Sequence, residues 1–342
     1  MMYLPARWKK RFNNSACFLC AVRCGLSAVF LAVTSAGFAG CMSGAISAEE
    51  YYSIGMAYFD IGKYNEAENW LVRAAQTNRT MRASEYNLGR IAFEQGRYSE
   101  AAKRFEKIIK GDPKNVMALK ALAYTYIKLA KLEEAETTYQ KVLELEPESA
   151  DEGYNYSLVL FALEKYAQCE AVLQKYNYNL TENKDTLLML ARCQKAQKKV
   201  EAIDTYDLWL QKNKDAQIRY EYAQLLEESG FFARAIGQMK TALTEMGDDT
   251  TKLKKSDLQF YYARLLMSAD PDNPDALKEF ETAIAGGFNN AESVKKLLAD
   301  NRISKANRDA VQRLLDAGLK LPEKTSEEQK TENTDASNSA AD

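Results

Sequence analysis

The stretch RASEYNLGRIAFEQGRYSEAAKRFEKIIKGDPKN, residues 82–115, decides how this chain folds, because its landmarks recur 34 residues away on either side. A bulky residue followed by a small one reads Ile54-Gly55, Leu88-Gly89, Leu122-Ala123, Tyr156-Ser157 and Leu190-Ala191. A second column reads Tyr64, Tyr98, Leu132, Tyr166, and a third Ala67, Ala101, Ala135, Cys169. A fourth reads Leu71, Phe105, Tyr139, Leu173, while Gly62 with Gly96 and Pro113 with Pro147 keep the same step. Several columns sharing one period mark a repeat architecture.

Each column has a physical task. The small residue after Ile or Leu lets the first helix of a pair approach its partner, and the Ala column serves the same contact from the second helix. Gly62 and Gly96 suit the left-handed residue that ends a helix. Pro113 and Pro147 fall where a continuing helix is unwanted.

These residues resemble the tetratricopeptide repeat: Tyr51, Ile54, Gly55, Tyr58, Ala67, Leu71 and Ala74 in one unit, then Leu88, Gly89, Ala101, Phe105 and Pro113 in the next. The resemblance implies an all-α fold, a right-handed superhelical solenoid of about seven helix pairs with a C-terminal helical cap. Units are expected to begin near residues 48, 82, 116, 150, 184, 216 and 256, filling 48–287. The fifth loses one residue, since Ala202 and Tyr206 come a step early. Residues 288–320 read as amphipathic helices, and the end of a solenoid needs such a cover for its last apolar face. From 321 to 342 the chain has the composition of a disordered tail.

Composition excludes several functions. The 342 residues are 46% apolar and 27% charged and contain no histidine, which removes the commonest general base and metal ligand together. Neither a metal site nor a cofactor is expected. Residues 1–40 hold five basic residues and no acid, so a total of −2 leaves the remainder at −7. An acidic remainder is a poor partner for nucleic acid.

The first forty residues read as an address. Basic Arg7 to Arg11 lead into the apolar stretch 24–40, the layout of a secretory signal. A spanning helix needs roughly 20 strongly apolar residues, and this stretch is shorter and rich in small ones. Phe38-Ala39-Gly40-Cys41 resembles a bacterial lipobox, with Phe38 where the pattern usually has an aliphatic residue. The resemblance implies a signal peptide over 1–40, palmitate or similar acyl chains on Cys41, and a tether over 41–47; the alternatives are plain cleavage after Ala39 or Ala48, or an uncleaved anchor. The expected location is the periplasmic face of a bacterial membrane, or the cell surface.

In the resembled family the first helices line the concave surface, so residues on their second face are the expected partner-binding set. They are Tyr52, Met56 and Phe59; Tyr86, Arg90 and Phe93; Lys120, Tyr124 and Ile127; and Tyr154, Leu158 and Phe161. Later units add Leu188, Arg192 and Lys195, then Tyr220 and Gln224, then Phe260 and Arg264. Contiguous aromatics imply a partner, and Tyr and Arg often dominate binding energy. The competing reading is that these side chains pack against the next unit. The carboxylate-clamp subclass is disfavoured, because Tyr52 and Tyr86 stand where its lysines would be.

Little else reads as chemistry. Ser293-Val-Lys-Lys296 matches Ser-x-x-Lys without companion motifs. The pairs Glu133-Glu134 and Glu227-Glu228 read as solvated helix surface. Cys169 and Cys193 read as buried small residues, a disulfide between them being the alternative. The sequence therefore predicts no enzyme but a membrane-anchored scaffold for a protein or peptide partner. A transporter accessory that binds a small ligand and a surface adhesin are the alternatives.

Overall fold

The computed structural model describes residues 46–176, 183–246 and 253–316, so the expected signal peptide, Cys41, most of the tether and the tail lie outside the described residues. The described residues form sixteen α-helices and no strand. The chain divides into two compact units, one ending at Lys165 and the other beginning at Tyr166.

The first unit holds α1 (Ala48–Asp60), α2 (Tyr64–Thr77), α3 (Arg82–Glu94), α4 (Tyr98–Gly111), α5 (Val116–Lys128), α6 (Leu132–Leu145) and α7 (Ala150–Ala162). Helix α1 opens with a capping box: Ser47 Oγ accepts from the Glu50 amide, and the Ser47 amide donates to Glu50 Oε2 at 2.8 Å. The small-residue column works by contact. A Cβ built on Gly55 would lie 2.8 Å from Leu71 Cγ, and one on Gly89 would lie 2.7 Å from the Phe105 ring. The core follows the predicted columns, with Ala67, Leu71, Ala101, Phe105, Ala135 and Tyr139 all buried.

The second unit holds α8 (Tyr166–Tyr176), α9 (Lys184–Ala196), α10 (Glu201–Lys212), α11 (Ala216–Glu228) and α12 (Phe232–Glu245). It continues with α13 (Lys255–Ala269), α14 (Asp275–Ala285), α15 (Ala291–Ala299) and α16 (Lys305–Asp316). Tyr206, Tyr222, Met239 and Leu258 build one core cluster. In the other, Val294 and Leu297 of α15 and Val311 of α16 pack with Phe280 and Ile284, so the final helices close the apolar side of α14.

Two periodic devices hold the turns. Residues 62, 96, 130, 164 and 198 all have positive φ, although only the first two are glycine. An ion pair also repeats: Glu68 with Arg97, Glu136 with Lys165, and Glu170 with Lys199, each at 2.7 Å. Each joins a second helix to the turn 29 residues later.

Candidate functional site

Of the nineteen residues in the expected partner-binding set, all but Leu158 and Phe260 are half-buried. In the first unit they are stitched helix to helix. The Arg90 guanidinium on α3 lies 4.4 Å from the ring centroid of Phe59 on α1. Its Nη1 donates to Asn87 Oδ1 at 3.0 Å, while Asn87 Nδ2 donates to the Tyr52 hydroxyl at 3.0 Å. One turn along α3, Phe93 sits 5.1 Å from Tyr98 and 5.2 Å from Tyr124 of α5. Lys128 Nζ lies 5.3 Å from the Tyr124 ring. Tyr86 tilts against Phe105 at 5.6 Å. Met56 packs on the cluster around Leu71 and Leu88. Tyr154 and Phe161 share α7, where the Tyr154 carbonyl accepts from Ser157 Oγ at 2.6 Å.

This partial burial sets the electrostatics. Burial lowers the Arg90 pKa, with Tyr86, Glu94 and Asp60 opposing it. Burial raises the Tyr86 and Tyr124 hydroxyl pKa values, so both stay neutral donors and acceptors. The face offers aromatic edges, a thioether and, in Arg90, a cation held in an aromatic and amide setting.

The second unit treats its cations differently. Arg192 makes a two-pronged contact with Glu221, at 2.9 and 2.8 Å, and Lys195 Nζ donates to the Glu221 carbonyl at 2.9 Å. Tyr220 meets Tyr261 edge-on at 4.9 Å. Arg264 Nη1 donates to Glu227 Oε1 at 2.8 Å and lies over Tyr261 at 4.9 Å. The same carboxylate accepts from the Tyr261 hydroxyl at 2.7 Å and from Arg302 at 3.1 Å. The basic character expected here is thus largely matched by carboxylates.

Three readings need correction. Glu227 is not solvated surface: it is 8% exposed and anchors Tyr261, Arg264 and Arg302. Burial acts to raise its pKa, yet hydrogen bonds from Arg264 and Tyr261 hold it below the usual carboxylate value. Leu158 and Phe260, placed on the exposed face by helical spacing, are buried instead. Leu158 follows Ser157 on a helix with buried residues at Tyr156, Val159 and Leu160 as well, so α7 has no wide polar face. Phe260 stacks on Phe288 at 4.1 Å, a contact made possible by the chain beyond the last helix pair.

Sequence reasoning missed Glu221, Asp300 and Arg302. Glu221 lies 29 residues after Arg192, the separation between the partners of each periodic ion pair, so opposite charges at that spacing were a usable signal. Asp300 and Arg302 lie beyond the repeats, where no period could flag them. Cys169 and Cys193 are both buried free thiols. Among the described residues no group of three or more Cys, Asp or Glu could hold a metal ion, and no helix is long and apolar enough to cross a membrane.

Two tetratricopeptide repeat family models match, at residues 52–116 and 92–151. An uncharacterized lipoprotein of Treponema pallidum is 25% identical over 142 residues, which is 42% of this chain and 72% of that protein. The protein O-mannosyl-transferase Tmtc3 of Drosophila melanogaster is 28% identical over 154 residues, covering 43% of this chain but only 16% of that protein. A tetratricopeptide repeat protein of Parabacteroides merdae of known structure superposes with a TM-score of 0.51 at 23% identity, over 74% of this chain and 97% of that one. Residues 52–151 of this chain are therefore tetratricopeptide repeats, and the 34-residue columns and paired helices give the described residues an all-α fold of the same kind.

Proposed function

We propose that this protein is a membrane-anchored extracytoplasmic scaffold that binds a protein or peptide partner. Its binding surface is the first-helix face of the first unit: Tyr52, Met56, Phe59, Tyr86, Arg90, Phe93, Tyr124, Tyr154 and Phe161. Arg192, Tyr220 and Arg264 form a separate, more polar set in the second unit. The observation that carries the reading is the run of half-buried rings and one cation from Phe59 through Arg90 and Phe93 to Tyr124. Large, rigid aromatic groups with one exposed edge bury much apolar area on contact at little cost in conformational entropy.

Anchoring through acylated Cys41 is supported by the sequence of residues 1–41 and by the name of the Treponema pallidum relative. The reading is of a binder rather than an enzyme. A general acid or base needs a pKa near the working pH, whereas Glu227 and Asp300 are both driven the other way.

The test is crosslinking and capture from intact membranes, comparing the wild type with a folded Tyr86→Ala, Phe93→Ala, Tyr154→Ala variant. A protein captured by the wild type and lost by the variant supports the reading. Equal capture moves the interface off this face. Metabolic labelling with a palmitate analogue, abolished by Cys41→Ser, tests the anchor separately.

A further inference from the structure

The first unit carries a further feature, lined by none of the residues of the proposed partner-binding set. Between α2, α3 and α4 lies a cavity of about 760 Å³, within the range of small-ligand sites. Its apolar wall is Val72, Ala75, Leu88 and Ile108. Its charged lining is Arg79, Arg82, Arg104 and Lys107 against a single carboxylate, Glu85, with Gln76 and Thr80 as neutral polar groups. The surrounding sequence is equally lopsided: residues 73–114 contain ten basic and five acidic residues in a mature chain that is acidic overall.

The cations are not locked in place. Arg82 pairs with Asp112 and Lys107 with Glu85, but their side chains are 56% and 72% exposed. Exposed ion pairs of this kind contribute little, so both heads can turn to a ligand. Arg104 is held more firmly, at 2.8 Å from Glu100 and 3.3 Å from Glu85, and gives the site a fixed guanidinium. Planar guanidinium groups match phosphate oxygens in a two-pronged way. Three guanidinium groups and an ammonium meet three carboxylates, Glu85 in the lining and Glu100 and Asp112 beside it, which leaves an excess of one positive charge. The cations suit a phosphate, and the apolar wall suits a hydrocarbon body attached to it.

We propose that this cavity binds an anionic phospholipid, with the phosphate on the arginines and the lipid's apolar part on Val72, Leu88 and Ile108. The bilayer as its source rests on the anchoring reading above. A tether over residues 42–47, at no more than ~3.6 Å per residue, would keep the first repeats near the membrane.

The experiment is titration calorimetry on the full chain carrying Cys41→Ser, so that no acyl group is attached. The probes are dihexanoyl phosphatidylglycerol below its micelle concentration, dihexanoyl phosphatidylcholine and inorganic phosphate. Phosphatidylglycerol is expected to bind at least tenfold more tightly than either other probe, and Arg79→Glu with Lys107→Glu to weaken it at least tenfold. The milder Arg79→Gln with Lys107→Gln should give a smaller loss, and it carries the test if charge reversal disturbs the fold. Equal affinity for phosphatidylcholine, equal affinity for inorganic phosphate, or binding indifferent to both double variants would each overturn the proposal. Failure here leaves palmitate labelling of Cys41 unaffected, so the two readings fall separately.

Discussion

Arg90 of α3 lies 4.4 Å above the ring of Phe59 on α1 and also donates to Asn87, whose amide holds the Tyr52 hydroxyl. One guanidinium therefore ties two first helices together and orients the aromatic face between them. A partner would meet a surface already fixed in place, which lowers the entropy lost on binding.

Replacing Arg90 by Ala should destabilise the first unit by about 1–2 kcal/mol, the range for a partly desolvated cation–π contact together with a charged hydrogen bond. Arg90→Lys should recover only part of this, because an ammonium cannot both cover the Phe59 ring and reach Asn87 as a planar fork. Urea unfolding read by circular dichroism measures it. Equal stability of the wild type and Arg90→Ala would show that the contact is ornamental.

Helix approach gives a sharper contrast. A Cβ on Gly89 would stand 2.7 Å from the buried Phe105 ring, so Gly89→Ala should cost about 1–3 kcal/mol through overpacking. Gly237, inside α12, has open space around the same position, and Gly237→Ala should stabilise by about 0.5–1 kcal/mol. Thermal melts of the two variants should move in opposite directions.

Acid should weaken the second unit through Glu227. Its folded-state pKa lies below the unfolded value, so the unfolded chain takes up the proton first as pH falls. The stabilisation is full above the ordinary carboxylate range and is lost as pH drops through the folded-state value. Asp300 is lowered too, chiefly by hydrogen bonds from Arg302, and adds in the same sense. Glu227→Gln should lose about 3 kcal/mol at neutral pH, because Arg264 would be left without its buried partner. That variant should also show a flatter melting temperature between pH 6 and pH 3. An unchanged slope would remove Glu227 as the source.

The buried thiols should be silent in the native protein. A hydrogen bond with Cys169 and burial both raise the pKa of Cys193, which suppresses its reactive thiolate. Iodoacetamide at neutral pH should label neither Cys169 nor Cys193 when folded and both in denaturant. Rapid native labelling of either would contradict the packing of α8 against α9.

The face itself was only partly legible. Helical spacing put Tyr52, Phe59, Tyr86, Phe93 and Tyr124 on one side of their helices, and all are half-buried there. The same spacing misplaced Leu158 and Phe260, because a helix apolar around most of its circumference gives no phase to read. Nor could it tell what would hold each cation: Arg90 lies on the Phe59 ring and donates to Asn87, whereas Arg192 and Arg264 are held by Glu221 and Glu227.

What the sequence determined alone was the architecture, because a 34-residue period repeats the same local choices and every copy reinforces the others. Gly62 and Gly96 announced their turns in the same way. Tertiary structure decided what no local pattern holds. Ala130, Glu164 and Lys198 take the left-handed conformation without glycine, since the helix on each side forces the turn. Glu227 became a buried anchor only because Tyr261, Arg264 and Arg302 converge on it from residues 34 to 75 positions away. Periodicity fixes which face a residue occupies, but burial and charge pairing depend on neighbours that meet only after the chain has folded.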